Sequence, residues 1–251
     1  MKIEHLSVSR KQLWDQCNQA YKYKYHLKLS SQEPEPEYFL YGKLVHKVAE
    51  EYVKNKGKIE INKFLQPYLK GELLLEDKKV ELTSEYKNKL NEHITNIKKL
   101  SDRVGFDGET EYFFKYDLDP PHEKYLTGVI DRLIIKDDMC FIIDYKTTKK
   151  GRWRKTPKTI RQDTQMLCYA KVVQKLFGIK AENIRAALYY LDGGDLIPTK
   201  FNQSMLDGVE KMLLSIYNDI QAKDPDNVFG KTGEHCRRCD FRKMCPFYSL
   251  T

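Results

Sequence analysis

The chain has 251 residues, of which 41% are hydrophobic and 32% charged, enough apolar material for a sizeable core and too much for global disorder. No run approaches the ~18 apolar residues of a membrane span, and the opening MKIEHLSVSR lacks the apolar stretch of a signal peptide; a secreted or membrane-integral chain is not expected, and a cytoplasmic location is. Lys and Arg total 44 against 36 Asp and Glu, a net +8 that suits a polyanionic partner rather than a membrane.

The elements follow in chain order. Ser9 to about Leu29 reads as a helix, with Ser9 and Gln12 as a capping box and Leu13, Cys17, Ala20 and Tyr21 at helical spacing. SSQEPEPE, residues 30–37, is a proline-broken loop, and a second helix is expected from about Phe39 to Asn55. Residues 56–105 are rich in Lys and Glu, mostly helical in pattern, and read as a helical insert in a single domain of residues 1–251. The texture changes at Glu109: ETEYFFKYDL is strand-like, and YLTGVIDRLIIK with MCFIIDYK predicts a hairpin turning at Asp137-Asp138. A helix from about Ile160 to Phe177, a buried strand NIRAALYYL, a weaker strand at 195–201 and an amphipathic helix at about 203–223 follow. The tail, 224–251, carries a cysteine cluster. The order predicts an α/β fold, a mixed sheet flanked by helices.

Asp131 and Asp144 interrupt otherwise apolar strands. Asp144 and Lys146 are two apart, so both leave the same face, and Asp131 joins them if the strands are neighbours. Two carboxylates beside an ammonium are costly to bury without a purpose. A hard cation, Mg²⁺ or Mn²⁺, supplies one: it takes carboxylate oxygens, keeps water positions open and acidifies a bound water. An isolated D-x-K reads mainly as surface charges on a hairpin; with Asp131 in the preceding apolar strand the two readings stand level.

GVIDR followed by IIDYKTT closely resembles the core motif of the PD-(D/E)xK nuclease superfamily, in its RecB/AddB-like branch. Gly42-Lys-Leu-Val-His46 resembles the upstream G-x-x-x-H of that branch, and Gln165-Met-Leu-Cys-Tyr169 its Q-x-x-x-Y helix. Two positions depart: Ile130 stands where proline is common, and Thr148 where glycine is frequent. The resemblance implies a restriction-endonuclease-like core, catalysis by Asp131, Asp144 and Lys146, metal ligation by His46, Asp131 and Asp144, and a site lined by Gln165 and Tyr169.

Cys236-x2-Cys239-x5-Cys245 has metal-ligand spacing and needs a fourth ligand. Spacing alone favours zinc. The resemblance points instead to a structural 4Fe–4S cluster, because related nucleases pair this C-terminal triplet with a cysteine of the first helix, here Cys17. Cys140 and Cys168 read as small core residues. Residues 146–158 hold seven basic side chains, no acid, and Trp153. Directly after the D-x-K strand, this loop is expected to bind DNA, with Arg152, Arg154 and Lys155 on phosphates and Trp153 on a base.

Together these readings predict a metal-dependent exonuclease acting on single-stranded DNA ends, 5′ to 3′, in recombination, repair or DNA processing. A CRISPR spacer-acquisition nuclease and a non-catalytic DNA-binding scaffold on the same fold are the alternatives. Helicase, recombination or adaptation proteins are the expected partners.

Overall fold

Apolar side chains on both faces of a strand demand cover on both sides, and the two most apolar segments occupy the centre of the sheet. The computed structural model describes residues 1–31 and 35–248. Five strands, β1 (Glu109–Asp119), β2 (Lys124–Lys136), β3 (Met139–Lys146), β4 (Ile184–Tyr190) and β5 (Asp195–Lys200), form one sheet in the order β1-β2-β3-β4-β5. β2 and β3 are antiparallel, with Arg132 opposite Ile143 and Lys136 opposite Met139. The hairpin turns at Asp137, whose φ of +52° lies in the left-handed region. β3 and β4 are parallel, Asp144 lying beside Leu188 and Lys146 beside Tyr190. That parallel step needs a crossover, and residues 147–183 supply it, including α6 (Thr164–Phe177). β5 returns antiparallel to β4. The mixed sheet with flanking helices is the α/β architecture the sequence predicts.

The chain divides into two compact units, one of Pro36–Phe113 with Val129–Leu206, the other of Met1–Glu35, Phe114–Gly128 and Asp207–Thr251. In the first, α3 (Glu37–Lys54) turns Tyr41, Leu44, Val45, Val48 and Ala49 inward. The 56–105 stretch adds α4 (Ile61–Leu69) and α5 (Ser84–Val104), whose Ile61, Leu65, Ile94, Ile97 and Leu100 join the same core as Ile143, Tyr145 and Tyr189 of the sheet. Gly108, just before β1, has a φ of +94°, and a Cβ there would stand 2.3 Å from the Leu133 carbonyl oxygen, so only glycine lets the chain enter the sheet at this point.

In the second unit the expected first helix is broken. α1 (Val8–Gln16) is capped by Ser7, whose Oγ accepts from the Arg10 amide at 3.2 Å; Ser9 lies inside the helix, not at its cap. At Cys17 the backbone is extended, with φ −163° and ψ 112°, before the short α2 (Asn18–Tyr21) and a π-helical turn, Lys22–His26. Leu6 pairs with Leu126 of β2 in parallel fashion, and α7 (Gln203–Ala222) receives the Trp14 indole N–H on Asp219 at 2.9 Å. The other helix expectation also shortens: residues 160–162 form a 3-10 turn, and α6 starts at Thr164 because the Asp163 carboxylate accepts from the Gln165 and Met166 amides.

Candidate active site

Asp144 and Lys146 sit at the C-terminal end of β3 and, two apart, share a face of the sheet. The β2–β3 ladder ends at Arg132–Ile143, which leaves Asp131, the next residue of β2, beside the Asp144–Tyr145 segment of β3. The Asp131 carboxylate is fixed by the Tyr145 amide, which donates to its Oδ2 at 2.7 Å. The Lys146 ammonium lies 2.7 Å from Asp144 Oδ2 and donates to Gln165 Oε1 at 3.0 Å. Gln165 Nε2 in turn donates to the Tyr169 hydroxyl at 2.8 Å, which donates to the Val129 carbonyl at 2.5 Å. The i, i+4 pair of α6 therefore braces Lys146 from above and ties it back to β2.

His46 projects from α3, its Nδ1 3.4 Å from Asp131 Oδ2. Glu111 of β1 completes the group: one ligand atom from each of His46, Glu111 and Asp131 lies within 4.8 Å of the others. Sequence reasoning missed Glu111. Its neighbours Glu109 and Thr110 are also polar, so nothing in the pattern singles it out. The distinguishing feature is backbone geometry: Glu111 has a φ of +49°, unusual for a non-glycine residue in a strand, as at a bulge that re-aims a side chain.

The electrostatics are those of crowded carboxylates offset by two basic side chains. Burial, and then the neighbouring Asp131 carboxylate, push the Asp144 carboxyl above its ordinary range despite Lys146. Burial and Asp131 likewise raise Glu111 to about 7. Burial alone would lower His46, but the Asp131 carboxylate outweighs it and raises the imidazole to about 9. The same balance holds Lys146 as an ammonium: burial opposes the charge, and Asp144 more than restores it. Asp144 Oδ2 is buried and accepts no well-directed hydrogen bond, leaving the Lys146 charge as its compensation. An orphaned carboxylate oxygen beside a nitrogen-and-oxygen donor set fits Mg²⁺ or Mn²⁺, with the imidazole favouring the latter.

The four predicted cluster cysteines meet in the other unit. Cys17, Cys236, Cys239 and Cys245 line one small cavity with Ala20, Tyr23 and Phe241. The extended backbone at Cys17 is what interrupts the first helix there. Cys140 and Cys168 are fully buried core residues, as expected.

The basic loop splits. Trp153 is 66% exposed with the Arg152 guanidinium 4.6 Å over its ring. Lys155 is exposed, its ammonium 3.5 Å from Asp163. Arg154 departs from the expectation of a phosphate contact. Its guanidinium pairs with Asp192 at 3.0 Å and Asp195 at 2.7 Å, donates to the Thr148 carbonyl, and lies over the Tyr190 ring. Two carboxylates across the β4–β5 turn have captured it, which no count of loop charges could reveal.

The profile of the PD-(D/E)XK nuclease superfamily matches residues 5–246. The chain belongs to that superfamily. The crystal structure of a candidate exonuclease from Eubacterium rectale superposes with a TM-score of 0.57 over 99% of this chain and 93% of that one, at 15% identity, a likeness of fold. Locally the chain is 36% identical over 74 residues to an ATP-dependent helicase/nuclease subunit of Listeria welshimeri serovar 6b. It is 33% identical over 90 residues to the corresponding protein of Listeria monocytogenes serotype 4b. These matches cover 27% and 34% of the chain but only 6% and 7% of those longer proteins.

Two outcomes test this geometry. A carboxyl whose pKa is raised in the folded state binds its proton more tightly there than when unfolded. Glu111 therefore leaves stability untouched below about 4.5 and lowers it progressively as pH rises to about 7. Metal-free Glu111→Gln protein should melt several degrees above wild type at pH 8 and no higher at pH 4.5, by thermal scanning. Arg154→Ala should cost about 1–3 kcal/mol in denaturant unfolding, because it strands two carboxylates, whereas Arg152→Ala should leave stability within about 0.5 kcal/mol of wild type.

Proposed function

We propose that this PD-(D/E)XK nuclease is a divalent-metal-dependent DNA exonuclease acting on single-stranded ends, 5′ to 3′, with a structural 4Fe–4S cluster. The observation that carries the catalytic reading is the convergence of His46, Glu111 and Asp131 within 4.8 Å, beside the Asp144–Lys146 pair. His46, Glu111, Asp131 and Asp144 would hold the cation. A bound Mg²⁺ or Mn²⁺ supplies a polarised phosphoryl oxygen and an acidified water. Lys146, held protonated, contributes positive charge where the phosphorane builds negative charge and donates a hydrogen bond there. Gln165 and Tyr169 keep its ammonium in place and are positioning residues. His46 gives up its proton before it ligates, so metal uptake is coupled to proton release.

Polarity and strand preference follow from the resemblance to RecB/AddB-like nucleases. The local likeness to helicase/nuclease proteins favours a DNA-unwinding motor as partner. Four cysteines around one cavity support the cluster. A polynuclear group held there would staple the first helix to the C-terminal tail.

Asp131→Ala, Asp144→Ala and Lys146→Ala should each lower cleavage of labelled single strands by at least about 10³-fold while keeping a wild-type circular dichroism spectrum, and a double variant should be little worse than a single one. Near-normal turnover by Lys146→Ala would defeat the assignment and return the chain to a DNA-binding scaffold. Protein purified without oxygen should be brown and hold about four irons per chain. Cys17→Ser should lose the colour as fully as Cys239→Ser and melt at lower temperature; stoichiometric zinc with Cys17→Ser unchanged would reject the cluster alone.

A further inference from the structure

Tyr38 and Phe39, in the first turn of α3, are 50% and 52% exposed. Their rings stack on each other, centroids 4.8 Å apart and planes inclined by 29°. Two adjacent large aromatic side chains left half in water forgo burial that a fold normally takes up. Both line a cleft of about 710 Å³ that also contains His46 and Glu111 and is walled by Tyr68 and Leu74. Leu74 is itself 50% exposed.

Helical spacing joins the aromatic pair to the cation site. Tyr38, Gly42 and His46 recur every four residues and follow one face of α3. The eight-residue separation, at ~1.5 Å per residue, places the pair about 12 Å along the helix from His46, a length that a few nucleotides span. Between them lies Gly42. A Cβ there would meet only Thr147 Oγ1, at 3.6 Å, an ordinary contact. Packing does not require this glycine, and mid-helix it is a less stable choice than alanine. Its effect is a bare strip of helix between the rings and the cation ligands.

The charges say what the strip receives. Lys43 and Lys47 line the cleft, but Lys43 pairs with Glu76 at 2.6 Å and Lys47 with Glu50 at 2.9 Å and Glu51 at 3.2 Å. With both ammoniums already matched, this end of the cleft offers phosphates little and flat apolar surface much. We propose that Tyr38 and Phe39 form a stacking platform for an unpaired base of the strand being cut, and so select single strands over duplex. Base pairs in a duplex hide their faces in their own stack and cannot use such a platform. The proposal rests on the nuclease reading of the cleft.

Equilibrium fluorescence anisotropy tests it, with the full chain, Ca²⁺ in place of Mg²⁺, and two labelled strands of equal length, oligothymidylate and its abasic analogue. Wild type should bind the abasic strand roughly 5- to 150-fold more weakly for each base stacked. Tyr38→Leu/Phe39→Leu should bind both strands alike at the weaker level, and Tyr38→Phe/Phe39→Tyr should restore the preference, with melting temperatures of both variants close to wild type showing that they fold. Cleavage is read separately with Mg²⁺: a wild type that cuts but binds intact and abasic strands equally overturns the platform and spares the nuclease reading. A wild type that discriminates but does not cut overturns the nuclease reading instead. Discrimination that survives in the double leucine variant also overturns the platform, moving the stacking elsewhere, such as Trp153.

Discussion

Three carboxylates gathered at one point of a sheet repel one another, and the arrangement of the larger unit answers to that repulsion. Asp144 is only 1% exposed, so its charge is neither solvated nor far from Asp131. Two cations on the chain offset it in part: Lys146 on the same strand, and His46 reaching across from α3. Each must be held, because a lysine stem or an imidazole ring left free would turn to water. α6 holds the first through Gln165 and Tyr169, and the anchoring of α3 in the core of the larger unit by Tyr41, Leu44, Val45 and Val48 holds the second. The residual excess of negative charge is what would draw a cation to the proposed site.

Buried charge also explains why Asp131, Asp144 and Lys146 sit on the inner strands β2 and β3, leaving only Glu111 on the edge strand β1. A central strand keeps its backbone hydrogen-bonded on both sides, so the carboxylates are aimed by a rigid ladder. Tyr145 lends its amide to Asp131 on one side while β4 pairs the other. Arg132, next to Asp131 and turned to the opposite face, is fully buried and donates to the Gly105 and Asp107 carbonyls. One strand thus carries opposite charges to opposite faces, and the Arg132 side pins the loop that leads into β1, the strand that bears Glu111.

The smaller unit is made by closing the chain on itself. The Met1 amino group donates to the Ile220 and Gln221 carbonyls, and the Tyr217 hydroxyl to the Ile3 carbonyl. Tyr23 packs against Phe241 beside the cysteines. Apart from α7, its helices are short or interrupted. A fold of this kind gains most from a bond that joins segments over 200 residues apart in sequence, which is the role a four-thiolate group would fill.

The sequence by itself predicted the hairpin at Asp137-Asp138 and a mixed sheet flanked by helices, and it set Asp131 beside Asp144 on the condition that their strands are neighbours, because period-2 apolar patterning marks the strands and a two-residue turn joins two of them. It also grouped Asp144 with Lys146 and Gln165 with Tyr169, since each pair lies within one regular element. Four features belonged to tertiary structure alone. The break at Cys17 overrides a continuous helical pattern, a local propensity outweighed by distant packing. Ser7 displaces Ser9 as the cap because hydrogen-bond geometry, not residue type, chooses between neighbours. Arg154 turns inward because Asp192 and Asp195 come from another turn of the chain, some forty residues on. Glu111 joins His46 and Asp131 from a left-handed backbone conformation near the start of β1, which nothing in the local residue pattern marks.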